Sequence, residues 1–262
     1  LIISGMLGGI EFYDISNRET LYHLTNYNLP GGGGGGAKPN CIKANGDYAY
    51  VTAKNGVAIL NISNPSSPQY IGYISGTNDY NLENLDAHNN ILAVTAHEEG
   101  VLFYDISNPS NPQFLSSLNT NNAWAVVLLD DFAFVGDGDE VLFVDISQIT
   151  NPIAMYTLEM TSAIKDIQYK DGLLYVAIGS DGVAVIDPAI ETVNPELLDV
   201  FSTSGLANKI ELFDNKIAVS DWDDVEILEW DGNILNLVGY KNTTRRTMAI
   251  AVKDNYIYSA EW

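Results

Sequence analysis

Carboxylate side chains are concentrated in a few short turns of this sequence. The turns contain the tracts HEEG, DGDE, GSDG and DWDD, and their acidic residues are Glu98, Glu99, Asp137, Asp139, Glu140, Asp181, Asp221, Asp223 and Asp224. Carboxylate oxygens are the ligands that hard cations such as calcium prefer, and clustered carboxylates also attract basic proteins. The turns are therefore a candidate binding face.

The pattern does not match an established calcium loop. That loop needs D-x-[DN]-x-[DN]-G followed by a distant glutamate, and Asp137-Gly138-Asp139-Glu140 stops after two matching positions. Solvated turns without any ligand account for the same composition. We predict no cofactor, with calcium as the one cation that these turns could hold.

Aromatic side chains accompany the acidic turns. Trp222 lies inside one of them, Trp124 opens a predicted strand, and Tyr80 lies in a long connection. Aromatic rings stack on sugars or anchor protein partners, although packing between neighbouring sheets also explains them. The predicted binding residues are Trp222, Asp223, Asp224, Glu98, Glu99, Asp137, Asp139, Trp124 and Glu83.

Two other segments have an unusual composition. Arg245 and Arg246 follow each other near the end of the chain, and we expect surface ion pairs between them and the acidic turns. Six consecutive glycines occupy positions Gly31 to Gly36. No G-K-[ST] follows them, so they are not a phosphate loop, and we expect a flexible insertion.

Catalytic motifs find little support in the sequence. No G-x-S-x-G elbow occurs, and His23, His88 and His97 are scattered without the spacing of a zinc site. An enzyme would need carboxylates such as Glu83, Glu98 and Asp223 to converge on one pocket. We therefore keep a glycan-processing enzyme as an alternative and not as the prediction.

The acidic turns belong to a repeated unit. The phrase VLFYDISNPSNPQFLSSL, which begins at Val101, returns in five variant copies along the chain. The acidic or amide residue that ends each first run advances in steps of 47, 44, 40, 42 and 42 residues, through Asp14, Asn61, Asp105, Asp145, Asp187 and Glu229. Periods of roughly 40 to 50 residues are typical of propellers and solenoids.

Each unit contains four short runs with strand-like alternation, here called a, b, c and d, which are separated by turn residues. The repeated phrase supplies c, its turn and d. Its Asp or Asn is predicted to be structural, because such a side chain accepts a backbone N–H two residues later. Four-stranded sheets that stack radially cover both of their apolar faces, so the sequence predicts an all-β β-propeller.

The chain ends decide the number of blades. The first unit lacks strand a, and the last has only a and b. If Met248–Val252 and Tyr256–Ala260 complete the sheet of Ile10–Ile15 and Leu21–Leu24, six blades result and residues 1–6 are surplus. Seven blades remain the alternative. In either case we expect residues 1–262 to form a single propeller domain.

The repeats resemble a known family. The tracts VLFYDISNPSNPQ and VLFVDISQITNP, with LLYVAIGSDGVAVID, are similar to LVIVD repeats, and the likeness covers nearly the whole chain. The resemblance implies a propeller and an origin in bacterial or archaeal proteins of the cell surface. It brings no catalytic residue with it.

Charge and hydropathy exclude some partners. The net charge of −22 would repel a nucleic acid backbone, and no apolar run is long enough for a membrane-spanning helix. The chain opens at Leu1 without a methionine, so a removed leader or upstream domain is compatible with the sequence. We expect an extracellular or cell-surface location.

Three functions follow from these observations. The leading prediction is a non-enzymatic module that binds a protein or a glycan through its acidic, aromatic-bearing loops. The alternatives are the glycan-processing enzyme and a purely architectural module within a larger surface assembly.

Overall fold

A computed structural model describes residues 1–4, 9–29, 39–53, 56–75, 82–190 and 194–261. The predicted glycine insertion at Gly31 to Gly36 and the connection that contains Tyr80 lie outside these residues. The described part of the chain consists of β-strands and turns. None of its segments is a helix with the length and apolarity to cross a membrane.

Six antiparallel sheets follow one another along the chain. The first contains β1 (Ile2–Ser4), β2 (Gly9–Asp14) and β3 (Tyr22–Asn28). The second and third are formed by β4 (Ile42–Asn45), β5 (Tyr48–Ala53), β6 (Gly56–Asn61) and β7 (Gln69–Ser75), and by β8 (Leu85–His88), β9 (Ile91–Thr95), β10 (Val101–Asp105) and β11 (Gln113–Leu118).

The fourth and fifth sheets repeat the same order. They are formed by β12 (Ala123–Leu129), β13 (Phe132–Asp137), β14 (Glu140–Asp145) and β15 (Ile153–Glu159), and by β16 (Asp166–Lys170), β17 (Leu173–Ala177), β18 (Val183–Asp187) and β19 (Glu196–Phe201). The sixth contains β20 (Ala207–Phe213), β21 (Lys216–Trp230), β22 (Leu235–Lys253) and β23 (Tyr256–Glu261). The predicted all-β, six-bladed β-propeller is confirmed as the fold class.

The long strand β21 contains both b and c of its unit. The N–H of Trp230 donates to the carbonyl of Asn215 at 3.2 Å, and Lys216 Nζ lies 3.6 Å from Glu229 Oε1. Both contacts join the two ends of β21, so the strand doubles back as a hairpin with Trp222 near its tip. We call residues Asp221–Asp224 the β21 tip.

The predicted pairing of the chain ends is wrong. Strand β2 pairs with β3 on one side and with β1 on the other, where Ile3 faces Glu11. No edge of β2 is therefore left for Tyr256–Ala260. That segment pairs instead with the last part of β22, from Thr247 to Lys253. The first residues of the chain, predicted to be surplus, form an edge strand.

Backbone contacts divide the chain into two compact units, Leu1–Asp130 with Ile146–Pro152, and Asp131–Asp145 with Ile153–Trp262. In the first unit, Tyr50 and Ile59 share a core with Leu92 and Val94 of the next sheet. In the second unit, Tyr175 and Val185 share a core with Ile217 and Val219 of the next sheet. Within each unit, apolar faces of successive sheets therefore cover each other.

The turns between c and d have the predicted side-chain hydrogen bond. Asp105 Oδ1 accepts the N–H of Ser107 at 2.7 Å, and Asn61 Oδ1 accepts the N–H of Ser63 at 3.0 Å. The same bond occurs at Asp14 and Asp187. In the last unit, Asp231 makes it in place of Glu229, which agrees with that copy being the most divergent.

We predict that Asp105→Ala lowers the melting temperature by about 2 °C at pH 7, whereas Asp105→Asn leaves it unchanged, because Asn61 makes this bond as an amide. The hydrogen bond from Ser107 N–H lowers the pKa of Asp105. The stabilisation is therefore present above the unfolded pKa, near 3.9, and is lost as the pH falls through the folded value.

Thermal melts of the three proteins from pH 7 to pH 3 test this account. The difference between the wild type and Asp105→Ala should shrink below about pH 4. An Asp105→Asn variant as unstable as Asp105→Ala would contradict the structural role.

Candidate functional site

The β21 tip places a bulky side chain at a strained backbone position. Trp222 has a φ of 56°, and other b–c turns also contain a left-handed residue. Gly138 at 64° lies, like Trp222, three residues before the first valine of strand c, and His97 at 49° and Gly179 at 55° lie one residue earlier. Glycine takes this conformation without cost, whereas a bulky side chain is strained there. The fold therefore requires a left-handed backbone in these turns, but it does not require a tryptophan side chain at position 222.

Three carboxylates are buried around the tip. Asp221 is 0%, Glu226 4% and Asp224 6% exposed. The preceding connection between β19 and β20 supplies their hydrogen-bond donors. The N–H of Gly205 donates to Asp221 Oδ2 at 2.8 Å, and the N–H of Ser204 donates to Glu226 Oε1 at 3.1 Å.

The hydroxyl of Ser204 is shared by two of the carboxylates. Its oxygen lies 2.9 Å from Asp221 Oδ2 and 3.3 Å from Asp224 Oδ2. A serine hydroxyl has one proton, so it can donate to only one of these oxygens at a time. Here the d–a connection and the b–c turn meet, as predicted for the candidate face.

The buried carboxylates are left with incomplete hydrogen bonding. Asp221 Oδ1, Asp224 Oδ1 and Glu226 Oε2 are buried and have no hydrogen-bond partner among the described residues. Burial raises the pKa of Asp221, Asp224 and Glu226, and the charge of Asp221 raises the pKa of both Asp224 and Glu226 further. The cluster concentrates negative charge at a cost in free energy.

Two other buried carboxylates, those of Asp86 and Asp166, are compensated. Asp86 accepts the N–H of Leu128 and lies 2.7 Å from Lys43 Nζ. Asp166 accepts the N–H of Ile210 and lies 3.2 Å from Lys209 Nζ. Each joins neighbouring strands and has a cation beside it. Asp221, Asp224 and Glu226 form no ion pair within the described ranges.

The arginine near the tip contacts the ring of Trp222. The guanidinium carbon of Arg246 lies 4.5 Å from the centroid of this ring. The predicted ion pair between Arg246 and the acidic turns is absent from the part of the chain that the structure describes. The cation–π contact takes its place, and it leaves the charge of the carboxylates unbalanced.

A surface cavity of about 430 Å³ opens beside the tip. Its lining combines an aromatic ring, a carboxylate and two hydroxyls, from Ser180, Ser204, Gly205, Leu206, Trp222 and Asp223. The exposed Asp223 is held by its backbone, since the Thr243 hydroxyl donates to its carbonyl oxygen at 3.0 Å. The volume lies in the range of small-ligand sites.

The first unit contains a second polar cluster. His97 Nε2 lies 2.9 Å from Glu83 Oε1, and His97 Nδ1 lies 3.0 Å from Asn122 Oδ1. The imidazole meets the ring of Trp124 edge to face at 5.2 Å. The structure thus brings Glu83 and Trp124 together through a histidine, and Trp124 packs as its alternative interpretation expected.

The remaining predicted site residues form no shared constellation with these groups. Glu98 and Glu99 are exposed in the turn that follows His97. Asp137 is buried, while Asp139 is exposed in the next turn. The binding roles of all these residues stay predictions.

Glu226 and Ser204 were missed by the sequence-based choice of site residues. Glu226 follows the first residue of strand c, where Ala58, Leu102, Leu142 and Ala184 are apolar. Glu226 could have been identified as a charged residue at a position that is apolar in most repeats. The signal is weakened by Glu11, which occupies the same position in the first copy. No local pattern marks Ser204, because only the folded chain brings it to the tip.

The LVIVD repeat model matches residues 36–75, 96–120 and 121–159. The predicted resemblance is thereby confirmed for these three stretches, which lie within residues 36–159. A search of curated proteins found no match.

Solved structures share the fold at low identity. The computationally designed Ika8 protein is 16% identical, with a TM-score of 0.71 over 99% of this chain and 89% of that one. A Lactobacillus plantarum protein is 15% identical, with a TM-score of 0.77 over 90% and 78%. A candidate 6-phosphogluconolactonase from Bacteroides fragilis NCTC 9343 is 12% identical, with a TM-score of 0.77 over 93% and 80%. Such similarity shows the fold alone.

We predict that Glu226→Leu raises the free energy of unfolding by about 1 kcal/mol in the presence of a chelator, because it replaces a buried charge with the residue that other repeats have. Urea unfolding measures the change. The exposed Glu98→Gln is the control and should stay within about 0.5 kcal/mol of the wild type. A less stable Glu226→Leu protein would show that the carboxylate supports the fold.

Proposed function

For this six-bladed β-propeller with LVIVD repeats, we propose the function of a non-enzymatic binding module in an exported or cell-surface protein. Its ligand is a glycan, which binds in the cavity beside the β21 tip. The surface location rests on the resemblance of the repeats to those of surface proteins. The ligand class rests on the lining of the cavity.

The observation that supports a glycan ligand most directly is the combination of side chains around this cavity. Trp222 offers an aromatic surface, and Asp223, Ser180 and Ser204 offer polar oxygens beside it. Sugars present an apolar C–H face and a rim of hydroxyls, and they therefore match an aromatic ring next to hydrogen-bonding groups.

The strained conformation of Trp222 supports a role in binding. Two equivalent turns use glycine, so the fold tolerates the absence of a side chain here. A left-handed conformation at a bulky residue costs on the order of 1 kcal/mol and is typical of functional sites. A contact between the indole and a ligand would explain why a tryptophan stands at this position.

The carboxylate arrangement favours binding over glycoside hydrolysis. One oxygen each of Asp221, Asp223 and Asp224 lies within 4.8 Å of the others. Paired carboxylates of glycosidases stand roughly 5 to 10 Å apart on opposite sides of the sugar bond. The similarity to a candidate lactonase concerns the fold and lends no activity to this chain.

An architectural function is the second candidate, because the d strands expose apolar side chains. Tyr22, Phe114, Ile153 and Tyr240 are 59%, 58%, 53% and 66% exposed, on β3, β11, β15 and β22. Edge strands with such side chains pair readily with another chain. A further copy of the same chain is the simplest partner in a surface assembly.

We predict that Trp222→Gly abolishes glycan binding while the melting temperature stays within about 3 °C, since lost packing is offset by relief of the left-handed strain. A glycan array identifies the ligand, and calorimetry with that glycan measures the loss. Glu98→Gln, in an equivalent turn of the first unit, should bind as the wild type does. Unchanged binding by Trp222→Gly, or an array without any bound glycan, would overturn the proposal.

For the architectural candidate, Phe114→Lys with Tyr240→Lys should shift a concentration-dependent assembly towards monomer, because charge on an edge strand opposes pairing. Sedimentation velocity over a range of protein concentrations measures this. A wild-type chain that stays monomeric at every concentration would contradict self-assembly.

A further inference from the structure

We infer that the carboxylates of Asp221, Asp223 and Asp224 bind a divalent hard cation, with calcium as the preferred ion, and that the nearby Glu226 adds to the negative charge that attracts it. The site lies within the β21 hairpin, under the cavity. It does not depend on the proposed glycan, because the cation would be held by the protein alone.

The first argument is the set of buried oxygens that have no partner. Asp221 Oδ1, Asp224 Oδ1 and Glu226 Oε2 have none among the described residues, and each belongs to a side chain that is more than nine-tenths buried. Buried polar atoms in native proteins are nearly always satisfied. A cation that Asp221 Oδ1 and Asp224 Oδ1 share would satisfy both of them, and its charge would stabilise the nearby carboxylate of Glu226.

The second argument is the convergence of the side chains. One carboxylate oxygen from each of Asp221, Asp223 and Asp224 lies within 4.8 Å of the others. Glu226 lies outside this group of three, but its Oε1 accepts the N–H of Ser204, whose hydroxyl contacts Asp221 and Asp224, so its negative charge is close to them.

Gly205 keeps the space beside these oxygens open. A Cβ at this position would lie 2.8 Å from Asp223 Oδ1 and 3.0 Å from Asp221 Oδ1. The same Cβ would lie 2.8 Å from the backbone carbonyl oxygen of Asp221, which cannot move aside as a side chain can, so the glycine is required by the backbone of the hairpin. The two carboxylate oxygens border one small space at the mouth of the cluster.

The third argument is charge. Four carboxylates within one hairpin would repel each other strongly at neutral pH. Two buried carboxylates elsewhere, those of Asp86 and Asp166, are neutralised by lysine. In the described ranges no lysine or arginine forms an ion pair with the tip carboxylates, and Arg246 lies over the Trp222 ring.

The ligand chemistry favours calcium. All donors are oxygens, which suits hard cations and not the softer metals that prefer sulfur or imidazole. Calcium accepts irregular sets of six to eight oxygens, whereas magnesium demands a near-ideal octahedron. Three carboxylates from one tight turn, two of them buried and one exposed, form an irregular set.

The test is a titration of the chelator-treated protein with calcium chloride, with magnesium chloride as comparison. We expect saturable binding by calorimetry and a rise in melting temperature of about 5 °C or more at saturation. Terbium should occupy the site and show emission sensitised by tryptophan, which Trp222→Phe should reduce strongly.

Variants locate the site. Asp221→Asn with Glu226→Gln should remove the calcium-dependent rise, and the exposed Asp223→Asn should weaken binding without any effect on folding. Asp131→Asn with Glu196→Gln, at two exposed carboxylates outside the acidic turns, is the matched control, and it should keep the full response. Absence of binding by the wild type, or binding that survives Asp221→Asn with Glu226→Gln and also Asp223→Asn, would overturn the inference. Because no glycan is present, these outcomes are independent of the proposed function.

Discussion

The central strands of the sheets are buried on both faces, and the rest of the structure depends on this. Residues of β5, β9, β13 and β17 are almost all inaccessible, and the strands that pair with them as c are nearly as buried. A single sheet has no means of covering two apolar faces, so each needs neighbours on both sides. Within each of the two compact units, successive sheets cover each other's apolar faces, which explains why one phrase recurs with so little change.

Because the repeated units are so similar, a unit that differs from the others is easy to recognise. In most units the c–d turn has the same side-chain hydrogen bond. Several b–c turns also contain a residue with a left-handed backbone conformation. The β21 hairpin keeps this backbone and replaces the side chains. A tryptophan stands at the left-handed position, and Glu226 stands at a core position. Within this hairpin the backbone serves the fold, and the replaced side chains form the candidate site.

Strands, sheets and turns could be predicted because each is encoded by local patterns that repeat. The pairing of the chain ends could not, since it depends on which edge of β2 is free, and no local pattern shows that β1 occupies that edge. Trp222, Asp223 and Asp224 were predicted from the composition of their turn. The unpartnered oxygens around them result from the approach of Ser204 and Gly205, a contact between distant parts of the chain that no local pattern records.

The central claim is that the residues of the β21 hairpin serve a ligand and not the fold. A chimera that replaces DWDDVE, Asp221–Glu226, with the equivalent AKNGVA of Ala53–Ala58 tests it most directly, because both segments have the same length. Equilibrium unfolding in chelator and in calcium is the measurement. The account predicts a chimera at least as stable as the wild type in chelator and indifferent to calcium. A chimera that is less stable in chelator, or that keeps a calcium response, would contradict it.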